Sequence, residues 1–316
     1  MRVERTAAVW QDGRLLPWDE AQVHVLNQTL QYGWGVYEGI RVYETADGPS
    51  AFRLDAHLRR LFRSAAMYAM EIPYSTEQLT DAVRDLVAAN DLAACYVRPL
   101  VHAESGTMGI DPGTGPLRVA IAVWPWEKFL GTDAAVQGIR ACVSSWRRVP
   151  GNALPTGGKA CGLYLNSMLA RSEAARHGYD EAILLNSQGT VADACVENVF
   201  CVTGDRIVTP PLSDGPLPGI TRDSVMTLAA DCGIEVQERS LTRADLYTAD
   251  ELFLTGTAAE VVPVVELDGR RIGDGLPGPV TVSLAQSFRR VVVGEDPRYG
   301  AWLTPMNQPV PGEVAS

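Results

Sequence analysis

Lysine is nearly missing from this chain of 316 residues: of its 27 Lys and Arg positions only Lys128 and Lys159 are lysine. Neither can belong to a general lysine-coated surface, so each is a candidate for a particular task. Positive charge is scarce too. A formal net charge of -11 works against the counterion release by which basic proteins hold nucleic acid, although a local basic pocket can still take a small anion. Long apolar runs are absent: the stretch Val261-Val262-Pro263-Val264-Val265 falls far short of the roughly 20 residues that span a bilayer. Near the start, Arg2, Glu4 and Arg5 lead within a few residues into Trp10, Asp12 and Gly13, so neither a signal peptide nor a membrane segment is expected. Cys95, Cys142, Cys161, Cys195, Cys201 and Cys232 include no CxxC pair, which suits reduced thiols and a cytoplasmic protein. His24, His57, His102 and His177 form no HExxH-like arrangement; structural or surface roles are expected for them, and no metal site.

What is present is a soluble-protein pattern of short strands and amphipathic helices. Ala7 to Trp10 and Arg14 to Trp18 flank an Asp12-Gly13 hairpin turn. From Asp55, the spacing of Leu58, Leu61, Phe62, Ala65 and Ala69 predicts a helix, and Ser75 with Gln78 forms a capping box before Leu79, Val83, Leu86 and Val87. Val97 to Ala103 and Leu117 to Val123 read as strands, with a linker expected over Glu127 to Gln137. A strand at Ile139 to Ser144 and a helix from about Leu163 to Gly178 come next. Ser187-Gln188-Gly189, Gly204-Asp205 and Asp268-Gly269 mark further hairpins, and a helix begins near Thr221 and ends near Cys232-Gly233. Strands and helices mix without a regular βαβ rhythm, so the expected class is α+β rather than a doubly wound parallel sheet.

Three places can carry chemistry. Lys159 follows Thr156-Gly157-Gly158, whose glycines let the backbone bend closely around whatever the amine reaches; a lysine amine suits Schiff-base chemistry because burial or a nearby cation lowers its proton affinity. The bland alternative is a surface lysine in a glycine-rich loop. Leu217 to Asp223 places a tight turn before a helix start, which offers amides and a dipole to an anion such as phosphate, or is simply a helix capped by Thr221. Gly256-Thr257-Ala258-Ala259 follows a strand and could bring amides and a hydroxyl to a phosphate or carboxylate, as many strand-end turns do without any ligand.

In combination these segments resemble the branched-chain aminotransferases, pyridoxal-phosphate enzymes of fold type IV. The likeness runs from about Ala7 to about Trp302 through YGWGVYEGIR (Tyr32 to Arg41), HLRRL (His57 to Leu61), YVRPL (Tyr96 to Leu100), YLNS (Tyr164 to Ser167), RHGYDEAILL (Arg176 to Leu185), LPGITRD (Leu217 to Asp223) and TGTAAE (Thr255 to Glu260). The resemblance implies two α/β domains with mainly antiparallel sheets: a small N-terminal domain over 1–128, an interdomain loop over 129–137 and a large cofactor-binding domain over 138–316. It implies that Lys159 carries pyridoxal 5′-phosphate as a Schiff base and moves the substrate proton. Arg60, Ile220, Thr221 and Thr257 would hold the phosphate, Tyr164 the phenolic oxygen, and Asp193, supported by Glu197, the pyridine nitrogen, with Leu217 and Gly219 as further cofactor contacts. Arg98, Tyr96 and the backbone at Thr257 and Ala258, with Tyr32 of a neighbouring subunit, would take the substrate carboxylate, and Gly39 would be a further substrate contact. Tyr37, Trp126, Phe129 and Ile110, the last also from the neighbour, would line an apolar pocket. A site shared between subunits implies a homo-oligomer, a dimer or a dimer-based hexamer.

The sequence also departs from that family. Asp193 stands where the family has glutamate, Ala194 and Val196 replace glycines, and Cys161, Leu163 and Phe129 are further changes close to the expected site. The reaction implied is amino transfer from leucine, isoleucine or valine to 2-oxoglutarate. The alternatives are a specialised aminotransferase or lyase of secondary metabolism on the same fold and, more distantly, a non-catalytic binding protein.

Overall fold

The structure, a computed structural model, describes residues 3–104, 115–126 and 134–307. These fall into two units. The first takes the described residues up to Trp126, together with Gly158–Gly162 and the residues from Arg290 on; the second takes those from Ala134 to Gly157 and Leu163–Arg289. The division expected at 129–137 is a single cut, whereas the chain returns twice to its first unit. Ala160 bridges Val36, and the strand Leu303–Pro305 pairs with residues 50–52.

In the first unit, β1 (Ala8–Gln11) and β2 (Arg14–Pro17) join through Asp12 and Gly13, both at positive φ as a two-residue hairpin turn requires. After the short α1 (Gln28–Tyr32), β3 (Gly35–Tyr37), β4 (Ile40–Thr45), β5 (Gly48–Phe52), β6 (Cys95–Ala103) and β7 (Leu117–Trp124) build an antiparallel sheet. Its order is Leu303–Pro305, β5, β4, β6, β7, β1, β2, with β3 paired to β6. Two helices follow β5: α2 (Leu54–Met67), and α3 (Thr76–Ala89), which opens with the expected Ser75–Gln78 capping box. Along α2, Leu54, Leu58, Leu61 and Ala65 are buried at helical spacing. Each fully buried leucine contributes about 2 kcal/mol, and Leu61→Ala would forfeit about 2 to 5 kcal/mol once the cavity is counted. The same buried face also carries His57, Arg60 and Ser64, polar residues that must find partners there.

The second unit contains α4 (Ala134–Gln137), β8 (Ile139–Val143), α5 (Tyr164–Arg176), β9 (Glu181–Leu185), β10 (Val191–Ala194), β11 (Asn198–Thr203), β12 (Arg206–Thr209), α6 (Ile220–Asp231), β13 (Glu235–Glu238), α7 (Arg243–Tyr247), β14 (Glu251–Gly256), β15 (Glu260–Leu267) and β16 (Arg270–Arg271). The sheet order is β10, β9, β8, β15, β14, β11, β12, β13, with β16 on β15. Antiparallel pairing dominates, but β8 runs parallel to β9 and β15, and β12 parallel to β13. A parallel neighbour requires a crossover, and α5 and α6 supply those between β8 and β9 and between β12 and β13. In the middle of the sheet Phe200 of β11 sits opposite Phe253 of β14 with rings stacked 5.0 Å apart.

Two expectations are corrected. The segment read as linker includes α4 at Ala134–Gln137, while its earlier residues lie outside those described. Thr221 is not the cap of α6: the helix starts at Ile220, Gly219 takes the cap position, and no side chain caps it. Thr221 is instead buried within the first turn.

Candidate active site

The first unit gathers Lys159, an aromatic wall and a buried ion cluster. Lys159 is pinned through its backbone: its N–H donates to Ser64 Oγ at 2.9 Å and its carbonyl accepts from Tyr37 N–H at 3.0 Å. The amine lies 5.1 Å from the centre of the Tyr37 ring. Arg98 lies over the same ring from 4.6 Å and over Tyr96 from 5.4 Å, and Tyr96 stacks on Trp126 at 4.4 Å. Gly39 makes this packing possible, because a Cβ there would stand 1.8 Å from the Tyr96 hydroxyl. Tyr32, at the end of α1, is half exposed.

Beneath this wall sits Glu38, with no surface exposed. Its Oε1 accepts from Arg60 Nε at 2.6 Å; its Oε2 accepts from Arg60 Nη2 at 2.9 Å, His57 Nδ1 at 2.7 Å and Gly39 N–H at 3.2 Å. Burial pushes the Glu38 carboxyl up, but the Arg60 guanidinium and then His57 outweigh it and hold the group well below the usual carboxylate range. Burial likewise drives His57 below its ordinary value, aided by the charges of Arg60 and Lys159 against the pull of Glu38. A neutral His57 therefore carries its hydrogen on Nδ1, facing Glu38. Its Nε2 has no hydrogen-bond partner among the described residues.

The second unit holds a carboxylate and a helix start. Asp193 lies in β10 next to a register irregularity and is buried. Its Oδ1 accepts from Asn198 Nδ2 and its Oδ2 from the Leu217 N–H, each at 3.0 Å, while the Asn198 amide also donates to the Leu217 carbonyl at 2.9 Å. This ring of bonds ties β10 to the turn before α6. Gly219 follows closely enough that a Cβ there would stand 1.9 Å from Asn198 Oδ1. Tyr164 opens α5, and Thr257 and Ala258 occupy the half-buried turn between β14 and β15.

Behind Asp193 lies a second acidic group. Glu197 and Glu181 are both buried, and Glu197 Oε1 and Glu181 Oε2 lack hydrogen-bond partners among the described residues. The nearest cation to Glu181 is Arg171 Nη1, 3.8 Å from Oε2. Burial first, and the Glu181 charge second, push Glu197 well above the ordinary carboxylate value. Burial also raises Glu181, against the charge of Arg171. Cys195, whose Sγ donates to the Ala182 carbonyl at 3.7 Å, is raised in turn by burial and by Glu181. All six cysteines are free thiols.

Sequence reasoning overlooked Glu38, His57 and Ser64 as working parts, and gave Asn198 no role. The signal was available: His57, Arg60 and Ser64 share one face of α2 by helical spacing with its buried leucines. Ile110 and Phe129 lie outside the described residues. Among the described residues there is no group of three or more His, Cys, Asp or Glu able to hold a metal ion, and no helix is long and apolar enough to cross a membrane.

Comparison with known proteins gives these arrangements a context. Residues 35–267 match the family model for amino-transferase class IV. The chain is 43% identical over 309 residues to the branched-chain-amino-acid aminotransferase of Escherichia coli K12, covering 98% of this chain and all of that protein. Among solved structures it is similar to the T.th. branched-chain amino acid aminotransferase with pyridoxamine 5′-phosphate, with a TM-score of 0.94, 43% identity, and coverage of 97% of this chain and 100% of that one. The same enzyme complexed with N-(5′-phosphopyridoxyl)-L-glutamate gives a TM-score of 0.91 at 42% identity, over 96% of this chain and 99% of that one.

Proposed function

Since the chain belongs to the branched-chain-amino-acid aminotransferases of class IV, we propose that it moves the amino group of leucine, isoleucine or valine to 2-oxoglutarate, using pyridoxal 5′-phosphate held by Lys159. The observation that carries the reading is Lys159 itself, one of only two lysines, with its backbone fixed on both sides and its amine against the aromatic wall that also receives Arg98.

The residues present fit that cofactor. A buried carboxylate, Asp193, is fixed through both oxygens, as a partner for a protonated ring nitrogen must be. The start of α6 has no side-chain cap, which leaves its first turn suited to a phosphate, and Thr221 is buried within it. Arg60 supplies a guanidinium for the same phosphate, with Ile220 and Thr257 as further contacts, Leu217 and Gly219 contact the cofactor, and Tyr164 supplies the phenol for the ring oxygen. Glu197 supports Asp193 from behind.

When bound, pyridoxal phosphate supplies a carbonyl that captures an amine and a ring that accepts electron density. The rest falls to the chain. Lys159 Nζ would hold the cofactor and, once the substrate amine has displaced it, would take the proton from the substrate α-carbon, while Arg98 would pair with the α-carboxylate, with Tyr96 and the backbone at Thr257 and Ala258 as further contacts. Tyr37, Tyr96 and Trp126 exclude water and favour a branched apolar side chain over a polar one. Asp193 keeps a proton on the ring nitrogen across a side chain one methylene shorter than glutamate. The glutamate adduct of the T.th. relative supports glutamate and 2-oxoglutarate as the second pair.

Exposed Leu165, Met168 and Leu169 at helical spacing on α5, together with half-exposed Tyr32, support a homo-oligomer in which Tyr32 serves a neighbouring subunit. The reduced thiols support a cytoplasmic setting. The test is glutamate formation from 2-oxoglutarate with each of the three amino acids. Lys159→Ala should lower that rate by at least about 10²-fold. Glutamate formation that survives the substitution, or is absent with all three donors, would remove the reading.

A further inference from the structure

We propose that Arg148 binds an anionic oxygen of the cofactor: its guanidinium is buried in the second unit without an acceptor, on a segment held between the strand of Asp193 and the helix of Tyr164. This rests on the reading above that the chain holds pyridoxal 5′-phosphate.

Three arginines are less than a tenth exposed among the described residues: Arg60, Arg148 and Arg222. Two of them have a carboxylate. Arg60 pairs with Glu38, and Arg222 pairs with Glu238 at 3.1 Å while it also donates to the Pro210 carbonyl. Arg148, 7% exposed, has no ion pair and no side-chain hydrogen bond among the described residues, and its Nε is sealed from water. Its neighbour Arg147 is exposed and still finds an acceptor, donating Nη1 to the Asn186 carbonyl at 3.1 Å. A buried lysine or histidine can shed its proton; a guanidinium cannot, so its charge has to be met by another group. The described chain does not offer one, which leaves a bound anion.

The backbone fixes where that anion lies. Arg148 N–H donates to the carbonyl of Leu185, the last residue of β9, at 2.9 Å, and Leu185 pairs with Val191 of β10, two residues before Asp193. On either side of Arg148, the Arg147 carbonyl accepts from Asn166 Nδ2 at 3.0 Å and the Val149 N–H donates to Asn166 Oδ1 at 3.3 Å. Asn166 lies in the first turn of α5, which Tyr164 opens. Arg148 is thus clipped between the strand and the helix that carry the proposed contacts to the cofactor ring. Pyridoxal 5′-phosphate brings anionic oxygen on its phosphate and at its phenol, and a planar fork of donors suits either.

Two effects of opposite sign make this testable. An unmet buried charge weakens the empty chain, and the arrival of its partner removes that weakness. A variant without the charge should therefore be more stable when empty and bind the cofactor less well, a pattern that a purely structural arginine does not produce.

The experiment uses the full-length chain, wild type and Arg148→Met. Equilibrium dialysis gives the affinities for pyridoxal 5′-phosphate and for pyridoxal, which lacks the phosphate, and urea unfolding gives the midpoint with and without pyridoxal 5′-phosphate. Arg148→Met should bind pyridoxal 5′-phosphate about tenfold or more weakly. Pyridoxal affinity that holds places the contact at the phosphate; an equal fall for both ligands places it at the phenolic oxygen. Without cofactor the variant should unfold at a higher urea concentration than the wild type, and the cofactor should raise its midpoint by less. Arg147→Gln, which removes the same charge from the exposed neighbour, should change neither affinity. Unchanged affinity in Arg148→Met overturns the proposal, including the case in which the oligomer dissociates and the acceptor belongs to a second copy of the chain. A variant that is less stable than the wild type without cofactor, or that does not fold, also overturns it, because the fold itself then needs the guanidinium. An equal fall in Arg147→Gln does the same, since net charge would then explain the loss. A wild type that takes no cofactor removes the reading above together with this inference, whereas wild-type binding that Arg148→Met matches removes the inference alone.

Discussion

Glu38 in the first unit and Glu197 in the second are glutamates withdrawn from water to the same degree, 0% and 2% exposed, yet their surroundings drive their protons in opposite directions. Glu38 receives four donors, one of them a guanidinium fork, and stays ionised. Glu197 has one oxygen without a partner among the described residues and a second buried carboxylate, Glu181, for a neighbour, and its carboxyl is pushed well above the ordinary range. Burial sets the size of the electrostatic effect, and the donor set decides its sign. The first unit commits a full ion pair to holding a guanidinium still. The second places a carboxyl that binds its proton more tightly than usual close to the carboxylate proposed to serve the cofactor nitrogen.

The most severe way to break the contrast is Arg60→Leu, which leaves Glu38 as a buried anion with only neutral donors. Removing one partner of a buried pair destabilises by about 3 to 5 kcal/mol, and urea unfolding measures it. A loss below about 1 kcal/mol would mean that Glu38 can be satisfied without Arg60. Gly39→Ala and Gly219→Ala come next. Each drives a Cβ into a polar atom that is held in place: the Tyr96 hydroxyl at 1.8 Å, on a ring stacked against Trp126, and Asn198 Oδ1 at 1.9 Å, on an amide bound to Asp193 and Leu217. Overpacking of this kind should cost about 1 to 3 kcal/mol in thermal or urea unfolding; Gly39→Ala should also raise the KM for the amino acid, as Tyr96 is displaced.

The smallest effect is the sharpest in sign. Glu38 binds its proton more weakly in the folded chain than its ordinary value of 4.5, so its stabilisation is present above that value and is lost as pH falls below it. Glu197 binds its proton more tightly than its ordinary 4.5, so the stability linked to it is fully present below that value and is lost as pH rises towards its raised value. A tenfold change in proton affinity between the folded and unfolded chain corresponds to about 1.4 kcal/mol. In urea unfolding between about pH 5 and about pH 8, Glu197→Gln should gain on the wild type by an amount on that order as pH rises, with little difference near pH 4. Parallel stability curves would show that Glu197 is already ionised in the folded chain.

Much of this organisation was legible in the sequence. The Asp12-Gly13 and Asp268-Gly269 turns need positive φ, a local demand that residue type states directly, and both lie where expected. The capping box at Ser75 is equally local. The parallel pairs of β8 and of β12 with β13 were not legible, because they depend on crossovers through α5 and α6 rather than on neighbouring residues. The same limit applies to the chemistry. Arg60, Lys159 and Asp193 stood out by residue type and motif, whereas Glu38 and Asn198 matter through what they hold, 22 and 5 residues away. Thr221 was readable as a cap or as a buried first-turn residue, and local sequence could not choose, because a glycine at position 219 serves as the cap without a side chain.

Lys159 is the residue on which the proposed chemistry depends most heavily. The full-length protein, loaded with pyridoxal 5′-phosphate, should be reduced with borohydride, digested and read by mass spectrometry. With only two lysines in the chain, the outcome is a choice between two peptides. The phosphopyridoxyl mass is expected on the peptide that contains Lys159. Its appearance on the Lys128 peptide instead, or on neither, would contradict the assignment.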